Sequence, residues 1–245
     1  MVKTKKEIEL MSVAGRAAAE IMCEIIGCID KGINGIYIND LVKKQCLKHK
    51  VSPAFYGYNG YKYNVCISIN NAIVHCEPSE YDFEDGDMLK FDMGVSYENY
   101  CADMARTIIV GHGSKDRYDI VVAAKEIFDE AMDIIVPGKK IGDISHTIHK
   151  ATLKRGYDIV QDFSSHGIGQ KIHEQPQILH YGLPGKGGWL FSGMTFAIEP
   201  IIRNKKGKIK ALNEWCMISD PPCLSAHYED TILITDDGPE VLTRC

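Results

Sequence analysis

The feature that most limits what this chain can fold into is a set of carboxylates placed inside apolar, strand-like segments. Asp92 lies in "LKFDMGV", Asp103 in "CADMARTIIV", Glu199 in "TFAIEPII" and Glu229 in "AHYEDTILI". Buried acids are rare unless they are paired or bind a cation. The first two strands are expected to form a hairpin through "SYEN", residues 96–99. Asp92 and Asp103 are equidistant from position 97.5, a register that makes them cross-strand neighbours. Two carboxylates about 4 Å apart repel by on the order of 4 kcal/mol at an effective dielectric of about 20. A fold that holds them together needs protons or cations there. Taken singly, each acid reads as a surface residue on the polar face of its strand. Four such segments, together with the two-histidine stretch "SSHGIGQKIHEQP" at 164–176, point to a site instead.

Four carboxylates and the imidazole of His166 form a hard, oxygen-rich set. A structural zinc site prefers thiolates and closed tetrahedral geometry, so that reading is disfavoured. Manganese, iron, cobalt or zinc in an open catalytic site suits the set. Five ligands exceed what one open ion needs. Two ions sharing bridging carboxylates use them well, and such a pair suits hydrolysis.

A chain of 245 residues makes one large domain or two small ones, and it buries roughly 70% of its unfolded surface without disulfide staples. The net charge of −5 gives no footprint for nucleic acid or an anionic membrane. Nine cysteines, an odd number with no C-x-x-C pair, read as reduced thiols in the cytosol. The opening "MVKTKKEIEL" meets acidic residues before any apolar run, unlike a signal peptide. No stretch approaches the roughly 18 apolar residues of a membrane span.

Thr4 and Glu7 fit a capping box at the start of a first helix, whose buried face runs from Ile8 to Ile29 and which is expected to end at Gly32 and Gly35. A shorter helix is expected after Asn39. The same order recurs about a hundred residues later, with "KDRYDIVVAAKEIFDEAMDIIVPG" followed by "DISHTIHKATLKRGY", which suggests an internal structural repeat. "VCISI", "MLKFDMGVSY", "ADMARTIIV", "MTFAIEPII" and "DTILIT" read as strands. The clustering predicts an α+β fold, an antiparallel sheet covered by helices on one side. The basic "RNKKGKIK", 203–210, reads as a solvated hairpin tip around Gly207, with contact to an anionic partner such as the ribosome as the alternative.

The spaced set of Asp92, Asp103, His166, Glu199 and Glu229 resembles that of the methionine aminopeptidases. Blocks that match are "NGYKYNVCISIN", "IVHCEP", "CADMARTIIVG", "SSHGIGQKIHEQPQILHYG", "SGMTFAIEP" and "LSAHYEDTILIT", which span nearly the whole chain. The resemblance implies a single catalytic domain over residues 1–245 with the pita-bread fold and two pseudo-symmetric halves. It implies two divalent ions, from among Co, Mn, Fe(II), Zn and Ni. Asp92 would bind one, His166 and Glu199 the other, and Asp103 and Glu229 would bridge them, with water activated between the ions as nucleophile. Glu199 would also shuttle the proton. His173 would donate to the scissile carbonyl, and His75 would contact the peptide near the scissile amide. Tyr58, Tyr61, Cys66, Ile172 and Trp215 would form the methionine pocket; an aromatic lining with a soft sulfur suits a thioether. Without the resemblance, His75 reads as a core histidine and the aromatics as ordinary packing. His146 and His149, in an H-x-x-H pattern, match no ligand of the family and read as surface residues.

The chain resembles the type I branch, lacking a long insertion and an N-terminal zinc-finger extension. The implied activity is removal of initiator methionine from nascent polypeptides with a small second residue, by a cytoplasmic monomer that binds neither nucleic acid nor membrane. Related Xaa-Pro peptidases share the metal set but carry a large N-terminal domain, for which the 91 residues before Asp92 leave no room. A binding protein on this scaffold should have lost ligands, and all five are present.

Overall fold

The computed structural model describes residues 2–244. Among these residues, four helices lie against antiparallel sheet. Helix α1 spans Lys5–Ile26 and α2 spans Gly35–Lys48; α3 spans Lys115–Met132 and α4 spans Ile141–Lys154. The capping box at Thr4 forms as expected: the Thr4 N–H donates to Glu7 Oε2 at 2.7 Å and the Glu7 N–H to Thr4 Oγ1 at 3.4 Å. The helix stops at Gly27, earlier than the apolar spacing suggested. Helix α2 begins well before Asn39, because the Asn34 side chain accepts the Tyr37 N–H at 3.0 Å and so caps it.

The largest sheet places, in order, strands 52–53, 88–97, 100–109, 229–235, 195–198, 164–167 and 174–179. Strand 66–69 also pairs with 88–97, and 238–241 with 229–235. Helices α1 and α2 share one apolar core with strands 88–97 and 100–109. A second core joins α3 and α4 to strands 195–198 and 229–235. Each half thus contains a long helix, a short helix and its own strands. The two halves meet where strand 100–109 pairs with 229–235, Ala105 opposite Glu229.

The expected hairpin of the first half forms, but its register is shifted by two. Asp92 faces Ala105 and Asp103 faces Gly94. The turn is only Glu98 and Asn99, with φ of 45° and 66°, the left-handed conformation of a tight two-residue hairpin. A shift of two residues keeps every side chain on its original face, so both acids stay on the side expected.

Two further readings are corrected. Residues 203–210 are not a hairpin tip: strand 201–203 pairs with 225–227 and 158–159, whereas 208–211 pairs with 217–220 in another small sheet, so the basic segment crosses between sheets. Nor are all the thiols free. Cys76 and Cys216 are joined in a disulfide, brought together because strand 72–74 pairs with 217–220 just beside them. Cys28, Cys46, Cys66, Cys101 and Cys223 are free thiols, and Cys245 lies outside the described residues. Among the described residues, no helix is long and apolar enough to cross a membrane.

Candidate active site

The acids converge from both halves. Cys66 pairs with Asp92, Asp92 with Ala105 and Ala105 with Glu229, one row across four strands. Asp103 stands two residues from Ala105 and so shares its face. Ala105 puts only a methyl group between Asp92 and Glu229, which leaves the space above it open. His166 reaches the same region from strand 164–167, opposite Ala197. Glu199 follows the end of strand 195–198, its N–H donating to Ser165 Oγ at 2.9 Å.

The backbone around these groups is fixed. The Asp103 N–H donates to Thr231 Oγ1 at 2.8 Å, and the Thr231 hydroxyl donates back to Asp103 O at 2.9 Å. Arg106 Nη1 donates to Glu229 O at 2.5 Å, while Nη2 binds Asp230 Oδ1 at 2.8 Å, so that cation is committed to Asp230. His166 Nδ1 is 2.9 Å from Gly167 O, and donating there leaves the Nε2 lone pair free. That Nε2 lies 3.3 Å from Glu199 Oε1. Gly167 has no freedom to carry a side chain, since a Cβ would stand 2.3 Å from Gln175 O.

Burial raises Asp92, Glu199 and Glu229 well above the usual carboxylate range, and their neighbouring acids raise them further. Burial also lifts Asp103 to about 7. His166 is pushed down to about 4, by burial first and then by His173. Asp92 Oδ1 and Asp103 Oδ1 are buried with no hydrogen-bond partner. Orphaned carboxylate oxygens beside a free imidazole nitrogen are the donor set of a divalent cation. Ligand atoms of Asp103, His166 and Glu229 lie within 4.8 Å of one another, and so do those of Asp92, His227 and Glu229. Two groupings that share one glutamate fit two adjacent ions.

A cavity of about 110 Å³ opens beside these groups, lined also by Phe55, Tyr58, Tyr61, Cys66, His75, His173 and Trp215. The Tyr61 hydroxyl donates to Val65 O at 3.0 Å, and its ring meets Trp215 edge-on at 5.0 Å. His173 lies 4.4 Å from His166, ring centre to ring centre, and its Nδ1 is 2.9 Å from the Tyr58 hydroxyl. His75 is not a core histidine. It faces the cavity with a left-handed backbone, φ 63°, and its ring stands edge-on to Phe163. Ile172, expected in the lining, instead packs behind it with Phe55 in one apolar cluster, both against Gly94. His146 and His149 sit half-buried on α4, in a separate depression with Lys150 and Lys154.

Metallopeptidase family M24 matches the chain over residues 9–236. A methionine aminopeptidase of Clostridium perfringens is 34% identical over 99% of this chain and 98% of its own length. One of Escherichia coli is 34% identical over 99% of this chain and 93% of its own. The chain belongs to metallopeptidase family M24, among the methionine aminopeptidases. The crystal structure of the methionine aminopeptidase from Thermotoga maritima superposes with a TM-score of 0.97 at 38% identity, covering 100% of this chain and 99% of that one. A prolidase of Pyrococcus furiosus shares the fold at a TM-score of 0.80 and 26% identity, with 65% of its chain covered. The pita-bread α+β architecture expected from the sequence is therefore the fold of this family member.

Two residues of the site escaped the sequence reading. Phe55 carries no polar signal and sits in a loop. His227 stands two positions before Glu229 in "AHYED", a spacing that period-two alternation would have placed beside the acid.

Proposed function

We propose that this chain is a metal-dependent aminopeptidase that removes N-terminal methionine from peptides and nascent proteins whose second residue is small. The observation that carries the reading is the convergence of Asp92, Asp103, His166, Glu199 and Glu229, from both halves of the fold, on one cavity with an apolar wall. We read residues 1–245 as one catalytic domain, since the site needs strands from both halves. Within it, Asp92, Asp103, Glu229, His166 and Glu199 would hold two divalent ions, as the orphaned oxygens and the shared Glu229 favour. The bound ions would supply Lewis-acid polarisation and an activated water.

The chain's own side chains do the rest. With the Tyr58 hydroxyl donating to Nδ1 of His173, the ring proton stays on Nε2, ready to donate to the carbonyl oxygen as charge develops there. His75, which lines the same cavity, would meet the amide. Glu199 accepts a proton and passes it to the leaving amine. Tyr61, Cys66, Phe55 and Trp215 enclose the first side chain. The rest of the polypeptide leaves along an open trough of about 1000 Å³ that runs from His75, His166 and His173 past Phe163 to Trp189. The enzyme is assigned to the cytoplasm as a monomer, in keeping with its nascent substrate.

The test is chelation followed by reconstitution with Mn, Co or Fe(II), assayed on Met-Ala-Ser and Ala-Pro peptides side by side. Cleavage of Met-Ala-Ser restored only by metal is expected. Full activity of metal-free protein, or preference for Ala-Pro, would overturn the reading.

A further inference from the structure

We propose that His227 is a nitrogen ligand of the ion held by Asp92 and Glu229, so that each of the two ion positions carries one imidazole. The inference rests on reading the cavity as a two-ion site, and adds to it a ligand outside the five that the family resemblance implies.

His227 is 2% exposed, and both of its ring nitrogens are buried without a hydrogen-bond partner. Nε2 points into the acid cluster, 3.5 Å from Glu229 Oε2 and 3.5 Å from Glu199 Oε2. These separations are long for hydrogen bonds, which cluster near 2.9 Å. The separation from Glu229 Oε2 is what co-ligation requires. Two donors each about 2.1 Å from one ion, at a roughly tetrahedral angle, stand about 3.4 Å apart. A ring nitrogen of His227, an oxygen of Asp92 and one of Glu229 all lie within 4.8 Å of one another, close enough to surround a single ion.

The backbone holds the ring rigidly in this place. The His227 N–H donates to Thr107 Oγ1 at 2.8 Å, and the Thr107 hydroxyl donates to His227 O at 2.9 Å. His227 also pairs with Ile201 in the sheet. A buried imidazole with neither nitrogen bonded has lost the hydrogen bonds it made to water and gained none in return. Ligation through Nε2 removes one of those losses and leaves the proton on Nδ1.

The chemical consequence is a shift in metal preference. Carboxylates and water suit manganese, whereas imidazole suits zinc, iron and nickel. A site with His166 at one ion and His227 at the other should discriminate against manganese at both positions, where a lone His166 would leave the Asp92 position all-oxygen.

Crystals of chelated protein reloaded with Zn²⁺ alone, recorded on either side of the zinc edge, locate the ions directly. An ion within about 2.3 Å of His227 Nε2 is expected. The His227→Gln variant, which keeps a polar side chain of similar size, should bind Zn²⁺ at least about tenfold more weakly by calorimetry, and Mn²⁺ less than about threefold more weakly. An ion bound by Asp92 and Glu229 but more than about 3 Å from Nε2 overturns the inference and leaves the two-ion reading standing. Equal losses for both metals in the variant also overturn it. Failure of the wild-type protein to bind any ion in this cavity would sink both.

Discussion

The hydroxyl of Tyr58 lies 2.9 Å from Nδ1 of His173, across 115 residues of chain. With the Tyr58 hydroxyl donating, the ring proton stays on Nε2, the tautomer that the oxyanion role proposed for His173 needs. Replacing His173 with alanine removes the donor and should lower kcat by on the order of 10²-fold. Tyr58→Phe keeps the imidazole but frees its tautomer. One hydrogen bond is worth roughly 0.5–1.5 kcal/mol, so the loss should be about tenfold or less. Bound metal, by elemental analysis, should be unchanged in both. Loss of metal from His173→Ala would make His173 a ligand and refute the role given to it.

Much of this site could be read before folding because its acids interrupt apolar strands. The alternation around Asp92 and Asp103 fixed which face they share. It did not fix the register, because sliding a hairpin by two residues preserves the face, and only the left-handed Glu98–Asn99 turn selects Asp92 opposite Ala105. The start of α2 was obscured by its β-branched run, while the cap that sets it is the side chain of Asn34. The Cys76–Cys216 link depends on two strands pairing across 140 residues, which no local pattern reveals. His227 was overlooked because a single histidine in a strand is weak evidence until its neighbours are known.

Two glycines near the site should respond unequally to alanine. At Gly167 the new Cβ meets Gln175 O at 2.3 Å, a backbone atom held in the sheet beside His166. At Gly94 it meets Ile172 Cδ1 and Phe55 Cε1, both at 2.9 Å, and side-chain tips can turn aside. Gly94→Ala should cost about 1–3 kcal/mol, typical of overpacking. Gly167→Ala should cost more and weaken metal binding, since His166 is the next residue. Thermal unfolding of the two chelated variants compares them; equal stability would show that the strand at Gly167 yields as readily as a side chain.

Removing metal should change how stability depends on pH. In the cation-free fold, burial lifts Asp103 to about 7 and holds Asp92, Glu199 and Glu229 well above the usual carboxylate range, against about 3.9–4.3 in the unfolded chain. Acids raised in this way stabilise the fold at low pH, and that stability is lost as pH rises through their folded values. His166, held down to about 4, works oppositely up to about 6.5, the unfolded value, so the two effects offset each other in that range. Above about pH 6.5 the acids act without it. Lys90, which burial lowers to about 7, gains stability with pH but does so with or without metal. The gap in Tm between metal-loaded and chelated protein should therefore widen as pH rises above about 6.5, through the Asp103 value of about 7. A constant or narrowing gap would mean that the acids are not protonated when the metal leaves.

The cavity wall sets the last expectation, the choice of first residue. Tyr61 is locked by its bond to Val65 O and by Trp215 against its ring, and Cys66 is buried beside it, so the pocket is narrow, apolar and stiff. Methionine fits because it is unbranched and flexible. One methylene in such a pocket discriminates by only roughly 1–3 kcal/mol, so norleucine peptides should be cut more slowly but measurably. A charged first residue should be refused far more strongly, because Phe55, Tyr61, Cys66 and Trp215 offer no charge to pair with it. Trp215→Ala opens one side of the pocket and should raise cleavage of a Phe-Ala-Ser peptide relative to Met-Ala-Ser. Tripeptides varied only at the first position measure all three effects as kcat/KM ratios. Efficient cleavage of Lys-Ala-Ser by the unaltered enzyme would show that the first side chain lies elsewhere, along the trough toward Trp189 rather than against Tyr61.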